Sequence, residues 1–248
     1  MAICSSSVAN GQRSVLAVLA DGVGGLKDGE KASRLLVSTY EKQYKKNKDI
    51  DLQRFLAESN KQLHLKKTSG AMDIAAESTL IALSITDDRI CWLNVGDSLL
   101  YRRRNKQLQK LNSAHTLGTE IDRKLRNNEI SWEEAAALED DRDILTSVIS
   151  GTAINEIEFQ SEEPELGARY IIASDGLQPL IDRHWENLLD AHENTPSPEM
   201  CNSLMQELMA LNVPHQDNVS IIVIDITRST GDSVTNSIFE RFKQLFKF

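Results

Sequence analysis

The chain has 248 residues, of which 40% are hydrophobic, so it can build one large domain or two small ones. Its formal net charge of −9 argues against non-specific binding to nucleic acid, which requires a basic surface. No apolar run approaches the ~18 residues that cross a membrane, and no signal peptide is evident. The three cysteines are isolated and odd in number, which indicates reduced thiols. We therefore expect a cytoplasmic protein without membrane contact.

The first third of the chain predicts a strand followed by two helices. Residues 14–20 form an apolar run that is typical of a buried strand. Apolar residues then recur on one helical face from Gly29 onward, and again between Leu52 and Leu63. A polar stretch at 45–51 separates the two predicted helices.

The middle of the chain changes to strand-like patterns. Residues 79–86, 89–95 and 99–103 predict consecutive strands joined by short turns, and 106–111 predict one more. Residues 113–150 are charged and mostly helical in pattern. Within them, Ser131 and Glu134 have the spacing of a capping box at a helix start.

The last third predicts strands at 154–160 and 168–173, an amphipathic helix at 198–211 and a closing strand at 219–226. The whole order indicates an α+β fold with mainly antiparallel pairing. Residues 228–237 are polar and predict a linker. Residues 238–248 place their apolar side chains on one stripe of a helix, which predicts a short amphipathic C-terminal helix.

Three aspartates lie in tight turns beside strand-like runs. Asp21 and Asp175 each follow such a run, and Asp217 precedes the last one. Strand ends hold side chains at a fixed place at a sheet edge, where loops carry chemistry. Carboxylates that converge repel one another, so a bound hard cation is their simplest explanation. An oxygen-only ligand set suits Mg²⁺ or Mn²⁺ better than zinc.

Five short blocks together resemble the metal-dependent protein phosphatase family, the protein phosphatase 2C type, in its bacterial form. They occur in family order at residues 20–25 (Ala-Asp-Gly-Val-Gly-Gly), 78–80 (Ser-Thr-Leu), 94–98 (Asn-Val-Gly-Asp-Ser), 172–177 (Ile-Ala-Ser-Asp-Gly-Leu) and 217–220 (Asp-Asn-Val-Ser). One Asp-Gly block alone would be weak, because Asp-Gly is a common turn. Five blocks in order make the resemblance specific over about residues 14–227.

The resemblance implies a fold and a domain division. The fold is α+β, with two antiparallel β-sheets packed as a sandwich flanked by helices (αββα). A helical flap is expected at about 113–150. Residues 1–227 would form the phosphatase-like domain, and 228–248 the linker and short amphipathic helix.

The resemblance also implies an activity, namely metal-dependent hydrolysis of phosphoserine and phosphothreonine in proteins by a metal-activated water. Two Mg²⁺ or Mn²⁺ ions and a third, weaker one are the expected cofactors. The expected partners are a phosphorylated protein substrate and a Ser/Thr kinase or its targets, with no nucleic acid. The catalytic residues implied are Asp21, Asp175 and Asp217.

The same resemblance assigns metal ligands residue by residue. Asp21 bridges two metals and the Gly22 carbonyl ligates one, while Asp175 and Asp217 hold the other. Asp97, together with Asp175, resembles the pair that holds the third metal. Two other readings stay open: Asp97 as an ordinary turn residue, and a catalytically impaired phosphatase-fold module that binds a phosphoprotein or partner kinase.

The chain departs from the family pattern at its start. The family has an upstream arginine that grips phosphate and an acidic Asn-Glu-Asp-like motif. Residues 1–14 lack the acidic motif, and Arg13 is too close to Asp21 in sequence to match the arginine. We therefore expect a first strand and one metal ligand to be missing. His115 stands where the family often has Asp-His-Ser, with Ala114 in place of the aspartate, and is interpreted as structural. The acidic cluster at 139–143 is interpreted as a solvated flap surface.

Overall fold

Two five-stranded antiparallel sheets form the centre of the molecule. The structure, a computed structural model, describes residues 1–7, 13–46, 50–228 and 238–244. The strands in this part of the chain are β1 Ala2–Ser7, β2 Arg13–Leu19, β3 Leu80–Thr86, β4 Ile90–Val95, β5 Leu99–Arg104, β6 Gln107–Lys110, β7 Glu158–Glu162, β8 Arg169–Ala173, β9 Ile221–Arg228 and β10 Ile238–Gln244. The helices are α1 Gly29–Lys46, α2 Leu52–Thr68, α3 Leu117–Arg126, α4 Trp132–Ala136, α5 Gln178–Ala191 and α6 Ser197–Ala210.

The strand orders are β1-β2-β3-β4-β7 in the first sheet and β10-β9-β8-β5-β6 in the second. Alternate side chains of both sheets fill the space between them, which confirms the predicted sandwich. These buried residues include Val15, Ala17, Leu19, Ile81, Leu83, Ile172, Ile222, Ile224 and Ile226. The opposite faces of the same strands are also apolar, so each sheet has to be covered from outside as well.

Helix pairs cover the two outer faces. Helices α1 and α2 pack on the first sheet, where Tyr40 and Phe55 meet edge-on with ring centroids 5.5 Å apart. Helices α5 and α6 pack on the second sheet through residues such as Trp185 and Leu204. Both helices predicted in the first third are confirmed, as is the one at 198–211. Helix α5 was missed, although Pro179 in its first turn and its spaced apolar residues mark it.

The expectation that a first strand is missing is wrong. β1 pairs antiparallel with β2 along its whole length, from Ala2 opposite Val18 to Ser7 opposite Arg13. Without β1, the edge of β2 would present unpaired N–H and C=O groups. Any extended segment can form hydrogen bonds with these backbone groups, whatever its side chains are. Residues 2–7 therefore form an edge strand of the first sheet.

The helix predicted for 238–248 is wrong over Ile238–Gln244. These residues form β10, which pairs antiparallel with β9, with Phe242 opposite Ile224. A short isolated helix is marginal in water, whereas the edge of β9 offers a ladder of backbone hydrogen bonds. β10 thus belongs to the second sheet. The linker was predicted at 228–237, but Arg228 is the last residue of β9. Residues 229–237 and the last four residues lie outside the described residues.

The flap contains α3, α4 and a short 3₁₀ turn at Glu139–Asp141. The capping box is confirmed: Ser131 Oγ accepts from the Glu134 N–H at 3.1 Å, and the Glu134 carboxylate accepts from the Ser131 N–H at 2.8 Å. The strand predicted at 154–160 begins later, at Glu158. Across the described ranges, no helix combines the length and the apolarity needed to cross a membrane.

Candidate metal centre

Strand register brings the turn after β2 next to the start of β3. Leu19 of β2 pairs with Ile81 of β3, so Asp21, two residues further along, lies beside Thr79. The Asp21 carbonyl accepts from the Thr79 N–H at 2.8 Å, and the Asp21 N–H donates to Thr79 Oγ1 at 3.3 Å. Asp21 is therefore held at the end of the first sheet.

The turn that carries Asp97 takes the chain from the first sheet to the second. Val95 of β4 pairs with Leu80, which places Gly96 against Thr79. Gly96 has a φ of +106°, and a Cβ added there would lie 2.6 Å from the Thr79 side chain. Only glycine combines this backbone conformation with so close an approach. Thr79 thus contacts both the Asp21 turn and the Asp97 turn.

The second sheet places Asp175 opposite Asp97. Leu99 of β5 pairs with Ala173 of β8, and the two aspartates lie two residues beyond this pair on their respective strands. Both side chains consequently emerge at the same end of the sandwich as Asp21. The antiparallel register alone brings residues 76 to 154 positions apart in sequence together.

The Asp217 turn packs on the turn that follows Asp175. Gln216 Nε2 donates to the Gly176 carbonyl at 2.8 Å. A Cβ on Gly176 would lie 2.5 Å from the Asn218 carbonyl oxygen, so the two backbones touch. The four predicted aspartates therefore share one end of the molecule.

Gly22, the predicted carbonyl ligand, lies directly against the start of α1. A Cβ at Gly22 would lie 2.3 Å from the carbonyl carbon of Gly29. The absence of a side chain lets the Asp21–Gly22 turn pack on the helix, which fixes its direction.

The carboxylates act on one another electrostatically. Burial, together with the charges of Asp175 and Asp21, raises the pKa of Asp97 to about 7. The surrounding protein also raises the pKa of Asp175, and the charge of Asp217 adds to this effect. Such shifts are typical of carboxylates gathered in one site, because each ionised group disfavours ionisation of the next.

Two further charges belong to this end of the molecule, and the sequence analysis missed both. Asp143 is exposed on the flap, as predicted for the acidic cluster, but its charge raises the pKa of both Asp97 and Asp175. Lys110 lies at the end of β6. Desolvation lowers its pKa, and the negative charges of Asp97 and Glu158 partly offset this effect. The sequence pattern carried no signal for either residue, because only the fold brings them near Asp97.

The donor chemistry of this site fits a hard divalent cation. The side chains gathered at this end are carboxylates, and the predicted Gly22 ligand is a backbone carbonyl; both are oxygen donors that Mg²⁺ and Mn²⁺ prefer. Among the residues that the structure describes, no three Asp, Glu, His or Cys side chains stand close enough to hold a metal ion in this arrangement. The site is therefore a collection of mutually repelling acids at one sheet end, and its assignment to metal ligands stays a prediction.

A family model described as protein phosphatase 2C matches residues 4–212. The chain belongs to the protein phosphatase 2C family. This confirms the resemblance inferred from the five sequence blocks. The match begins within β1 and ends just beyond α6, so it contains strands of both sheets but not β9 or β10.

Named members of the family align over most of the chain. It is 27% identical over 219 residues to the serine/threonine protein phosphatase PstP of Mycobacterium tuberculosis, covering 85% of this chain and 40% of that relative. It is 25% identical over 230 residues to the serine/threonine phosphatase stp of Listeria monocytogenes, covering 88% of each. The chain thus spans less than half the length of the mycobacterial protein and most of the Listeria one.

A solved structure shares the fold. The catalytic domain of the serine/threonine protein phosphatase PstP, in complex with two manganese ions, superposes with a TM-score of 0.64 at 22% identity. The alignment covers 91% of this chain and 97% of that domain. The α+β sandwich is therefore the protein phosphatase 2C fold.

Proposed function

We propose that this chain is a Mg²⁺- or Mn²⁺-dependent protein phosphatase that hydrolyses phosphoserine and phosphothreonine in proteins. The observation that carries the proposal is the convergence of Asp21, Asp97, Asp175 and Asp217 at one end of the sandwich, with the pKa of Asp97 raised to about 7. Membership of the family supports the reaction class.

The proposed ligands are oxygen atoms from four turns. Asp21, the Gly22 carbonyl, Asp175 and Asp217 would hold two cations. Asp97 and Asp175 would hold a third, weaker cation. Cations of this kind neutralise phosphate charge and activate water for attack on phosphorus. The chain itself contributes the turns that bring these residues to one end of the sandwich.

The charges around the site fit an anionic substrate that arrives together with cations. Without cations the carboxylates would repel a phosphate group, so we expect binding of the phosphoprotein to require metal. Lys110 is a cation within electrostatic reach of Asp97 and can contact the phosphoprotein near the site. We further propose that the phosphatase acts in the cytoplasm and opposes a Ser/Thr kinase by acting on that kinase or on its targets.

The test is hydrolysis of p-nitrophenyl phosphate and of a phosphothreonine peptide with Mn²⁺, with Mg²⁺ and after chelation. We expect turnover only with added metal. We also expect Asp21→Asn to lower kcat at least 100-fold and to weaken Mn²⁺ binding in calorimetry while the circular dichroism spectrum is retained.

The matched control is Asp88→Asn, an exposed turn carboxyl between β3 and β4 at the opposite end of the sheet. It should leave activity and metal binding unchanged. Full activity after exhaustive chelation would refute the proposal. Tight Mn²⁺ binding without any turnover would instead favour the catalytically impaired binding module.

A further inference from the structure

His115 and Gly96 are joined by a reciprocal pair of hydrogen bonds. The Gly96 N–H donates to His115 Nδ1 at 3.1 Å, and the His115 N–H donates to the Gly96 carbonyl at 2.9 Å. His115 is 2% exposed, so water does not compete for these bonds. Both backbone polar groups of Gly96, the residue before Asp97, are therefore hydrogen-bonded to His115.

The geometry selects one form of the imidazole. Nδ1 can accept from the Gly96 N–H only when it carries no proton, so the ring is neutral with its proton on Nε2. Burial lowers the pKa of His115, which favours this neutral form, although Glu156 and Glu158 oppose the effect. The nearest carboxylate oxygen to Nε2 is Glu156 Oε1, at 3.9 Å, which is beyond hydrogen-bond distance.

Asn94 reinforces the same turn from the other side. This fully buried amide donates to the Gly96 carbonyl at 3.1 Å and to the Ser113 carbonyl at 3.0 Å. It thereby joins the loop before His115 to the turn before Asp97. The Gly96 N–H, in contrast, is bonded by His115 Nδ1.

His115, near the start of the flap, also contacts the segment near the flap's end. Its carbonyl accepts from the Thr146 N–H at 2.9 Å. The flap segment that ends there carries Asp143, whose charge acts on Asp97. His115 thus lies between the Asp97 turn and the flap carboxylate, with a backbone hydrogen bond to each side.

We propose that His115 is a positioning residue that fixes the Asp97 carboxyl through the Gly96 N–H and keeps the flap in register with it. The proposal rests on the proposed function for its catalytic consequence, since Asp97 is there a ligand of the weaker third cation. Its structural part, the bond from Gly96 N–H to an unprotonated Nδ1, stands independently of any activity.

The structural part is tested first in the unsubstituted protein by ¹⁵N NMR of the His115 ring. We expect an unprotonated Nδ1 and a protonated Nε2 near neutral pH. A proton on Nδ1 would overturn the proposal, whether or not the protein proves to be a phosphatase.

Two substitutions then distinguish the roles of the two ring nitrogens of His115. His115→Asn keeps an acceptor near the position of Nδ1, whereas His115→Gln moves it toward the position of Nε2. We expect amide hydrogen exchange of Gly96 to accelerate at least tenfold in the Gln variant and to stay within about threefold in the Asn variant. His64→Asn and His64→Gln are the controls, since His64, on α2, has its Nδ1 3.0 Å from the Gly151 carbonyl and does not contact the Asp97 turn.

The functional part is read from metal dependence. His115→Gln should raise the Mn²⁺ concentration needed for half-maximal activity about tenfold and leave the KM for p-nitrophenyl phosphate at saturating Mn²⁺ unchanged. His115→Asn should restore most of the metal affinity. Equal metal dependence in both variants, or equal exchange at Gly96, would show that His115 only fills space.

Discussion

The Asp97 turn and the Asp217 turn bring carboxylates to the same end of the sandwich by different means. Asp97 follows a glycine with a φ of +106° whose two backbone groups are bonded by buried side chains. Asp217 lies in an exposed turn, where its carboxylate accepts a hydrogen bond from the Asn218 N–H at 2.6 Å. The side chain of the neighbouring Gln216 donates to the Gly176 carbonyl. One turn is built into the core, and the other is attached to it by surface contacts.

This difference indicates how the two carboxyls respond to their surroundings. A partly buried carboxyl on a fixed turn cannot move away from its neighbours, and its pKa rises to about 7. An exposed carboxyl on a lightly held turn can relax into water. We therefore expect the Asp97 turn to resist change and to cost stability when disturbed, and the Asp217 turn to tolerate it.

The largest effect should come from Gly96→Ala. A Cβ would lie 2.6 Å from the Thr79 side chain in a backbone conformation that L-residues rarely adopt, so we expect the free energy of unfolding to fall by about 2–4 kcal/mol. Urea denaturation measures this loss. Gly167→Ala is the control, since it has a φ of +82° but no atom within 4 Å, and it should cost only about 1 kcal/mol. Equal losses would mean that the Asp97 turn is no tighter than a surface turn.

A smaller and pH-dependent effect is expected for Asp97→Asn in the metal-free protein. The folded pKa of about 7 exceeds the ordinary value of 3.8, so the folded state binds a proton that the unfolded state releases between these values. Stability is thus lost as the pH rises through this window. Removing the charge should stabilise the protein by about 1–3 kcal/mol near pH 8 and by almost nothing near pH 4.

Thermal unfolding in the presence of chelator, at pH values from about 4 to 8, measures this effect. Asp217→Asn serves as the comparison, because its carboxyl is exposed, and it should change stability less at every pH. A pH-independent gain for Asp97→Asn would contradict the assignment of a raised pKa to Asp97.

The smallest effect is expected for Gln216→Ala. It removes the 2.8 Å bond to the Gly176 carbonyl in an exposed turn, so the free energy of unfolding should fall by about 0.5–1 kcal/mol. Gln206→Ala, an exposed residue of α6, is the control and should be neutral. Because Gln216 links the Asp175 and Asp217 turns, calorimetry should still detect weaker Mn²⁺ binding. A loss as large as that of Gly96→Ala would mean that the two turns are equally rigid.

The site could be predicted from the sequence as far as local patterns reach. Asp21, Asp175 and Asp217 each lie beside a strand-like run, and this pattern can be recognised without knowing which strands pair. The strand identity of β10 could not be predicted in this way, since the same apolar residues satisfy a helical stripe. Its backbone hydrogen bonds go to β9, which a pattern within one segment does not contain.

Local interactions therefore determined helices α1 and α2, the capping box at Ser131 and the turns that carry the aspartates. Each of these depends on neighbours within a few residues. The tertiary structure alone decided which acids meet, that Asp143 and Lys110 act on Asp97, and that His115 holds Gly96. These relations join residues from 13 to more than 150 positions apart, and antiparallel register and close packing between turns bring them together. Hydrogen bonds form only at about 3 Å and charges act mainly within about 10 Å, so only the folded chain can decide these relations.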